Sequence, residues 1–138
     1  MTVKTEQAPR VGCGALITNE KGEILLVKRL REPEAGFWGF PGGKVDFGET
    51  IEAAICREIK EELGILIELQ ELAHLVNYID IDLEQHWLAP VYDAIILSGA
   101  PRIQEPLALS SCAWFAIDCL PDQITEATHQ TLASKIKP

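Results

Sequence analysis

Short runs of apolar residues, separated by turn residues, recur along the chain and predict a series of β-strands. Residues 10–18 form the first apolar run, residues 19–22 a turn, and residues 23–29 the second run, an order that predicts a β-hairpin. A charged loop follows at 30–36. Further strands are predicted at 37–40, within 65–81 as one or two strands, at 88–97 and at 112–117, with turns at 41–43 and 98–101.

Between Thr50 and Leu63 the apolar positions change to helical spacing, which predicts a helix with one buried face. Thr50 is a good N-cap residue, and Gly64 suits the position just after the helix. A second helix is predicted at about 125–137. Strands flanked by two helices indicate an α/β or α+β domain. The apolar stripe of the first helix comprises Ile51, Ala54, Ile55, Ile59 and Leu63.

Three glutamates of the first helix, Glu58, Glu61 and Glu62, stand three and four residues apart and project toward one side of it. Like charges at this spacing destabilise a helix by roughly 0.2 to 0.5 kcal/mol per pair. Glu58 and Glu62 also lie on or beside the apolar stripe, where unpaired carboxylates would be costly. A divalent cation would reverse the sign of this repulsion, and oxygen ligands favour Mg²⁺ or Mn²⁺ over Zn²⁺. The alternative is a solvated acidic helix face.

The residues around these glutamates match a family pattern at every specified position. The pattern is GX5EX7REUXEEXGU, with U aliphatic, and its nine specified positions span 23 residues. The chain therefore resembles the Nudix hydrolases, whose signature, the Nudix box, it matches over residues 43–65. Residues 37–43 are similar to the strand and turn that lead into this box, and a weaker resemblance extends over nearly the whole chain. The resemblance implies an α/β/α sandwich with a mixed central sheet and two main helices. The matching positions are Gly43, Glu49, Arg57, Glu58, Ile59, Glu61, Glu62, Gly64 and Ile65.

The resemblance also implies roles for the charged residues of the box. Glu58 and Glu62 would be the direct metal ligands. Glu61 would bind the metal through water or orient the attacking water, and a sequence leaves the assignment among coupled carboxylates open. Arg57 would hold a box glutamate by a bidentate contact, with Glu49 as its partner or as a further ligand. The alternative for Arg57 is an exposed salt bridge to Glu61, worth little.

Other candidate site residues lie outside the helix. Gly42 and Gly43 would let the backbone turn tightly and approach phosphate oxygens, or would simply form a turn. Glu105, in a Glu-Pro pair nine residues before Trp114, resembles an acidic loop residue of Nudix nucleoside triphosphate diphosphatases, although the intervening segment departs from that group. Its alternative is a solvent-exposed loop glutamate.

The substrate-binding candidates are two basic residues and a small set of aromatic residues. Arg29 and Arg31 flank a predicted strand end and would face a nucleotide phosphate, although charged loop residues are more often solvated. Tyr78, His86 and Trp87 would stack on a nucleobase, although aromatic residues of strands more often serve core packing.

Composition and charge narrow the class of protein. The 138 residues predict one domain over 1–138, and 47% hydrophobic residues argue against disorder. A net charge of -9 disfavours nucleic-acid polymers as partners, whereas a small nucleotide remains compatible because a metal would bridge it to carboxylates. Four cysteines without CxxC spacing, and the lack of a secretory signal or of about 18 consecutive apolar residues, predict a cytoplasmic protein without a membrane role. A homodimer would follow only from family analogy.

Three functions fit these observations. The first is Mg²⁺- or Mn²⁺-dependent hydrolysis of a nucleoside triphosphate or deoxynucleoside triphosphate to the monophosphate and pyrophosphate. The second is hydrolysis of ADP-ribose or a nucleotide sugar, although no proline stands about fifteen residues past the box, where residues 78–81 read Tyr-Ile-Asp-Ile. The third is a non-catalytic Nudix module for ligand sensing or interaction, which the intact box disfavours.

Overall fold

The computed structural model describes residues 8–136. Within this range seven strands and two helices form, in the order four strands, one helix, three strands and a second helix. The elements are β1 Arg10–Ile17, β2 Ile24–Arg29, β3 Trp38–Gly39, β4 Gly42–Lys44, α1 Ile51–Leu63, β5 Leu66–Asp80, β6 Gln85–Ser98, β7 Leu109–Phe115 and α2 Glu126–Ser134.

The strands form two sheets. The first is mixed, with the order β4-β1-β6-β5, and β1 runs parallel to β6 and antiparallel to β4. The second is antiparallel, with the order β3-β2-β7. The α+β class, the mixed sheet and the two helices are therefore confirmed, and the second, antiparallel sheet is an addition to the prediction.

The predicted hairpin between the first two strands is wrong. The turn forms, because Gly22 N–H donates to the Asn19 carbonyl at 3.0 Å, but the two strands join different sheets and share only the bridge between Thr18 and Ile24. Residues 24–27 are all buried, as in a strand covered on both faces. A hairpin with one solvated face would alternate buried and exposed positions instead.

Strands β1 and β2 each direct alternate side chains to opposite sides, and each side is covered by a different helix. Ala15 and Ile17 join the cluster that contains the buried face of α1. Leu16 joins the cluster against which α2 packs. This division produces the predicted sandwich, with one helix on each side of the strands.

Capping residues next to helix α1 fix both of its ends. The Thr50 hydroxyl accepts a hydrogen bond from Ala53 N–H at 3.1 Å. Gly64 takes the left-handed conformation (φ 69°) and donates its N–H to the Lys60 carbonyl. Ala54, Ile55, Ile59 and Leu63 are completely buried. The predicted helix boundaries are confirmed.

One side chain of helix α2 forms two hydrogen bonds with the backbone of the edge strand β5. The Gln130 amide donates to the Asn77 carbonyl at 2.8 Å and accepts from the Asn77 N–H at 3.3 Å, as a neighbouring strand would. The helix ends at Ser134, earlier than predicted, and the predicted end at Lys137 lies outside the described residues.

Several strand boundaries differ from the prediction. The segment expected as a turn at 41–43 is mostly strand β4, because Gly42 and Gly43 pair with β1. Strand β6 begins at Gln85 and β7 begins at Leu109, each earlier than predicted, whereas β5 is one continuous strand, one of the two predicted alternatives. Neither α1 nor α2, the helices of the described residues, has the length and apolarity that a membrane crossing needs.

Candidate active site

A cavity of about 650 Å³ opens beside the mixed sheet and reaches helix α1. Small residues form its floor, since Gly12 and Gly14 of β1 lie beside Ala89 and Val91 of β6. Its volume is within the range of about 300 to 1,000 Å³ that is typical of small-molecule sites. The cavity therefore has room for a nucleotide-sized ligand.

The glycines of β4 bring two carboxylates of α1 to the cavity wall. A Cβ atom at Gly43 would collide with the Glu58 carboxylate, so this side chain passes directly over the glycine. Gly42 donates its backbone N–H to Glu62 Oε1 at 2.9 Å. The glycines thus allow the close approach of two carboxylates, and the Gly42 N–H is bound to Glu62.

Glu62 is a buried carboxylate without a cationic partner. Only 8% of the residue is exposed, and it forms no salt bridge within residues 8–136. The pKa of Glu62 is raised to about 8, mainly by burial and also by the nearby charges of Glu58 and Glu105, while the Gly42 hydrogen bond and Arg29 act in the opposite direction. An uncompensated carboxylate in this position is costly unless a proton or a cation neutralises it.

Arg57 holds three carboxylates at the rim of the site. Its Nε and Nη2 donate to the two oxygens of Glu49 at 2.6 and 2.8 Å, and Nη1 donates to Glu58 at 2.9 Å and Glu61 at 2.8 Å. The Arg57 hydrogen bonds lower the pKa of Glu49 to about 2. Glu49 in turn is the main cause that raises the pKa of Arg57. Both contacts considered for Arg57, the fork to Glu49 and the pair with Glu61, are present.

The structure brings most of the predicted site residues to one cavity. Glu61 is different, since its side chain is 45% exposed, is held by Arg57, and is absent from the cavity wall. Arg57 and Glu49 also lie outside the wall and contact it through Glu58. The predicted residues that line the cavity are Arg29, Arg31, Gly42, Gly43, Glu58, Glu62, Tyr78, Trp87 and Glu105.

The carboxylates do not form a ready-made metal cage. Within residues 8–136 no three histidine, cysteine or acidic side chains converge closely enough to hold an ion. Arg57 pairs with both Glu58 and Glu61 and so offsets their repulsion. Glu58 and Glu62 nevertheless offer the oxygen donors that Mg²⁺ and Mn²⁺ prefer, and the unpaired buried charge of Glu62 fits a cation.

Sequence reasoning missed three residues that shape the cavity. Gln85 accepts a hydrogen bond from Trp87 Nε1 at 2.8 Å, and the Arg10 guanidinium lies 5.7 Å from the centre of the Trp87 ring. The spacing of Gln85 and Trp87, two apart on one strand, was the available signal. Glu34, from the loop before β3, also lines the cavity and carries no motif.

Replacing Arg57 by Lys tests whether the forked contact matters beyond its charge. Lysine keeps the positive charge but loses the planar pair of donors to Glu49. We expect Mn²⁺ affinity, measured by paramagnetic resonance, to fall by about 10- to 100-fold, as for other residues that orient metal ligands. Arg102→Lys, on an exposed residue outside the cavity, is the control. Unchanged Mn²⁺ affinity in Arg57→Lys would show that Arg57 supplies charge alone.

A two-sided sandwich with a glutamate-rich helix against a glycine-rich strand is the architecture that the Nudix box predicted. The family model for the NUDIX domain matches residues 8–134, and the chain belongs to this family.

Similar proteins include two curated relatives and a solved structure. The chain is 35% identical over 91 residues to an ADP-ribose pyrophosphatase of Methanocaldococcus jannaschii, covering 66% of this chain and 53% of that protein. It is 40% identical over 87 residues to a Mycobacterium tuberculosis protein named "Putative 8-oxo-dGTP diphosphatase 2", covering 62% of this chain and 61% of that protein. The matched segments thus span little more than half of these relatives.

The solved structure is that of a MutT NUDIX hydrolase from Burkholderia pseudomallei. It is 53% identical to this chain, with a TM-score of 0.88, and the match covers 92% of this chain and 98% of that one. Fold and sequence are therefore shared along nearly the whole of both chains.

Proposed function

We propose that the chain hydrolyses the pyrophosphate bond of a nucleoside triphosphate or deoxynucleoside triphosphate, releasing the monophosphate and pyrophosphate with Mg²⁺ or Mn²⁺. The observation that carries this proposal is Glu62, a buried carboxylate without a cationic partner, placed beside Glu58 in the wall of a nucleotide-sized cavity. Membership of the NUDIX family and the likeness to a MutT NUDIX hydrolase support it.

Glu58 and Glu62 would hold the metal, with Glu105 as a further carboxylate from the loop before β7. Glu105 lines the cavity, and its charge raises the pKa of both Glu58 and Glu62, so the three groups are neighbours. A bound divalent cation supplies charge neutralisation at phosphate oxygens and a water of lowered pKa.

The remaining charged residues would position these groups. Arg57 holds Glu49, Glu58 and Glu61 in one network, which fixes the orientation of the Glu58 carboxylate. Glu105 is better placed than Glu61 to accept a proton from an attacking water, because it faces the cavity and Glu61 does not. Glu61 would then act on the site through Arg57.

Arg29 would bind the phosphate chain. Its Nε donates to the Pro33 carbonyl at 2.9 Å, which fixes the side chain, and no other hydrogen bond of its guanidinium occurs within residues 8–136. The charge of Arg29 acts on Glu62 on one side and on Glu34 on the other. A guanidinium that acts on both cavity carboxylates suits a group of several phosphates.

The name of the Mycobacterium tuberculosis relative, which gives a deoxynucleoside triphosphate as substrate, supports a triphosphate as the substrate of this chain. The Methanocaldococcus jannaschii relative favours ADP-ribose as the second candidate. Both reactions break a pyrophosphate bond, so the same carboxylates would serve either one.

A substrate panel distinguishes the candidates. Product release should be measured with Mg²⁺ and with Mn²⁺ on nucleoside triphosphates, ADP-ribose and nucleotide sugars. The proposal predicts that the triphosphates have the highest kcat/KM and give pyrophosphate. Preference for ADP-ribose would favour the second candidate, and no turnover with either metal would favour a non-catalytic module.

The raised pKa of Glu62 predicts a pH dependence of stability in the metal-free protein. The unfolded chain loses this proton near the ordinary pKa of 4.5, whereas the folded protein keeps it up to about pH 8. This contribution to stability is therefore complete below pH 4.5 and is lost as pH rises toward 8. Urea denaturation in EDTA should show wild type losing stability across this window relative to Glu62→Gln. Parallel pH profiles would contradict the prediction.

A further inference from the structure

Glu34 projects a carboxylate to the cavity wall from an unusual backbone conformation. Its φ is 63°, in the left-handed region that glutamate rarely adopts. Two contacts hold it there, since its carbonyl accepts from Phe37 N–H at 3.1 Å and its Oε2 accepts from the backbone N–H of Glu126 at 2.7 Å. The second contact ties the loop to the first residue of α2. The position of this carboxylate is therefore fixed by two separate elements.

One oxygen of this carboxylate remains available to a ligand. Within residues 8–136 Glu34 Oε1 has no hydrogen-bond partner and Glu34 forms no salt bridge. The residue is half-buried, and burial raises the pKa of its carboxyl group, against the Glu126 hydrogen bond and Arg29. A partly dehydrated acceptor in a cavity wall is suited to N–H donors of a ligand.

An aromatic wall lies beside Glu34. Tyr78 and Trp87 are opposite each other on β5 and β6, and both line the cavity. Burial raises the pKa of Tyr78, and the negative charge of Glu34 raises it further, which places the carboxylate near the phenol. Trp87 is held by Gln85 and faces Arg10. A flat base stacked on these rings would present its edge toward Glu34.

The two cavity carboxylates Glu34 and Glu62 have different charged neighbours. Glu62 is influenced by Glu58, Glu105 and Arg29, whereas Glu34 is influenced by Arg29, Glu126 and Asp80. Arg29 is common to both sets. A nucleotide with its phosphates at Glu58, Glu62 and Arg29 would therefore extend its base toward Glu34.

We propose that Glu34 determines base specificity by accepting hydrogen bonds from the Watson–Crick edge of guanine, an inference that rests on the proposed nucleotide hydrolysis. Guanine offers two adjacent donors there, N1–H and the 2-amino group. Adenine and cytosine offer one donor beside a lone pair, which a carboxylate repels. Uracil and thymine place their single N–H between two carbonyl oxygens. Guanine is thus the base whose edge best complements a fixed carboxylate.

The test is the ratio of kcat/KM for dGTP to kcat/KM for dATP, measured on one preparation so that the active fraction cancels. Glu34→Gln keeps an oxygen for Glu126 N–H but replaces the free oxygen by an NH2 donor, which the N–H donors of guanine cannot use and which the N1 acceptor of adenine can use. We expect the ratio to favour dGTP in wild type and to fall by about 10- to 100-fold in Glu34→Gln, the range of one bidentate base contact. Thermal unfolding of each variant confirms that it is folded.

Glu84→Gln is the matched control, because Glu84 is the other glutamate with positive φ, at 52°, and is exposed outside the cavity wall. Its ratio should equal that of wild type. A purely structural role of Glu34 would lower both kcat/KM values together and leave the ratio unchanged. A Glu34→Gln ratio within about twofold of wild type, or a wild type that prefers another base, would overturn the proposal.

Binding separates this inference from the proposed function. Calorimetric affinities for dGMP and dAMP give the same comparison without turnover. If wild type cleaves no triphosphate, the proposed hydrolysis fails, and a preference for dGMP that Glu34→Gln removes would still support the role of Glu34. Equal affinities for the two nucleotides in wild type would overturn that role.

Discussion

Replacing Glu62 by Gln lowers turnover by at least about a hundredfold, more than the loss seen when a residue that only orients a metal ligand is removed. The same change stabilises the metal-free protein, because it removes a buried carboxylate that has no cationic partner. Glu58→Gln should lower turnover similarly. Its effect on stability should be smaller, since Glu58 is already paired with Arg57.

Steady-state kinetics and urea denaturation in EDTA check both halves of this prediction. Glu52→Gln is the control, since Glu52 lies on the same helix but is exposed outside the cavity. It should retain wild-type turnover. If Glu62→Gln kept full turnover, Glu62 would not be a metal ligand, and if it destabilised the metal-free protein, the carboxylate would have a partner that the structure does not show.

Replacing Gly43 by Ala produces a loss of metal affinity that approaches that of Glu58→Gln. The new methyl group would occupy the position of the Glu58 carboxylate, which must then leave the cavity wall. The Glu58 carboxylate is the end of a flexible side chain, so it moves more easily than the backbone of the paired strand. We expect Mn²⁺ affinity to fall by about 10- to 100-fold with the fold retained.

Gly14→Ala is the matched control for this substitution. Gly14 pairs with Gly42 across the same two strands, and a Cβ there would make ordinary contacts, with the nearest atom, the Pro41 carbonyl oxygen, at 3.4 Å. Its Mn²⁺ affinity should match that of wild type. Equal affinity in Gly43→Ala would mean that Glu58 binds the ion from another position or does not bind it.

Local signals made helix α1 predictable from the sequence. The Thr50 cap, the Gly64 end and the apolar stripe are all contained in residues 50–64, so no distant contact had to be known. The same is true of the Arg57 fork to Glu49, whose partners are eight residues apart. The carboxylate end of the candidate site was therefore accessible from the spacing of the glutamates together with the resemblance to the Nudix pattern.

Strand pairing was not predictable in the same way. The turn at 19–22 indicated a hairpin, but the partners of β1 are β4 and β6, and pairing with β6 depends on residues more than seventy positions away. For Glu61 the sequence left open a role in the metal site or a salt bridge to Arg57, and the structure shows the salt bridge.

The proposed base-binding end was least accessible because separate segments build it. Glu34 comes from the loop before β3, Tyr78 and Trp87 come from β5 and β6, and the hydrogen bond that fixes Glu34 comes from α2. These segments carry no shared motif. Only the tertiary structure shows that they meet.

The most direct test of the proposed activity is product analysis of dGTP incubated with the protein, with Mg²⁺ present or removed by EDTA. We expect dGMP and pyrophosphate as products with Mg²⁺ and no cleavage in EDTA. Release of dGDP and phosphate, cleavage that persists in EDTA, or no cleavage with Mg²⁺ would contradict it.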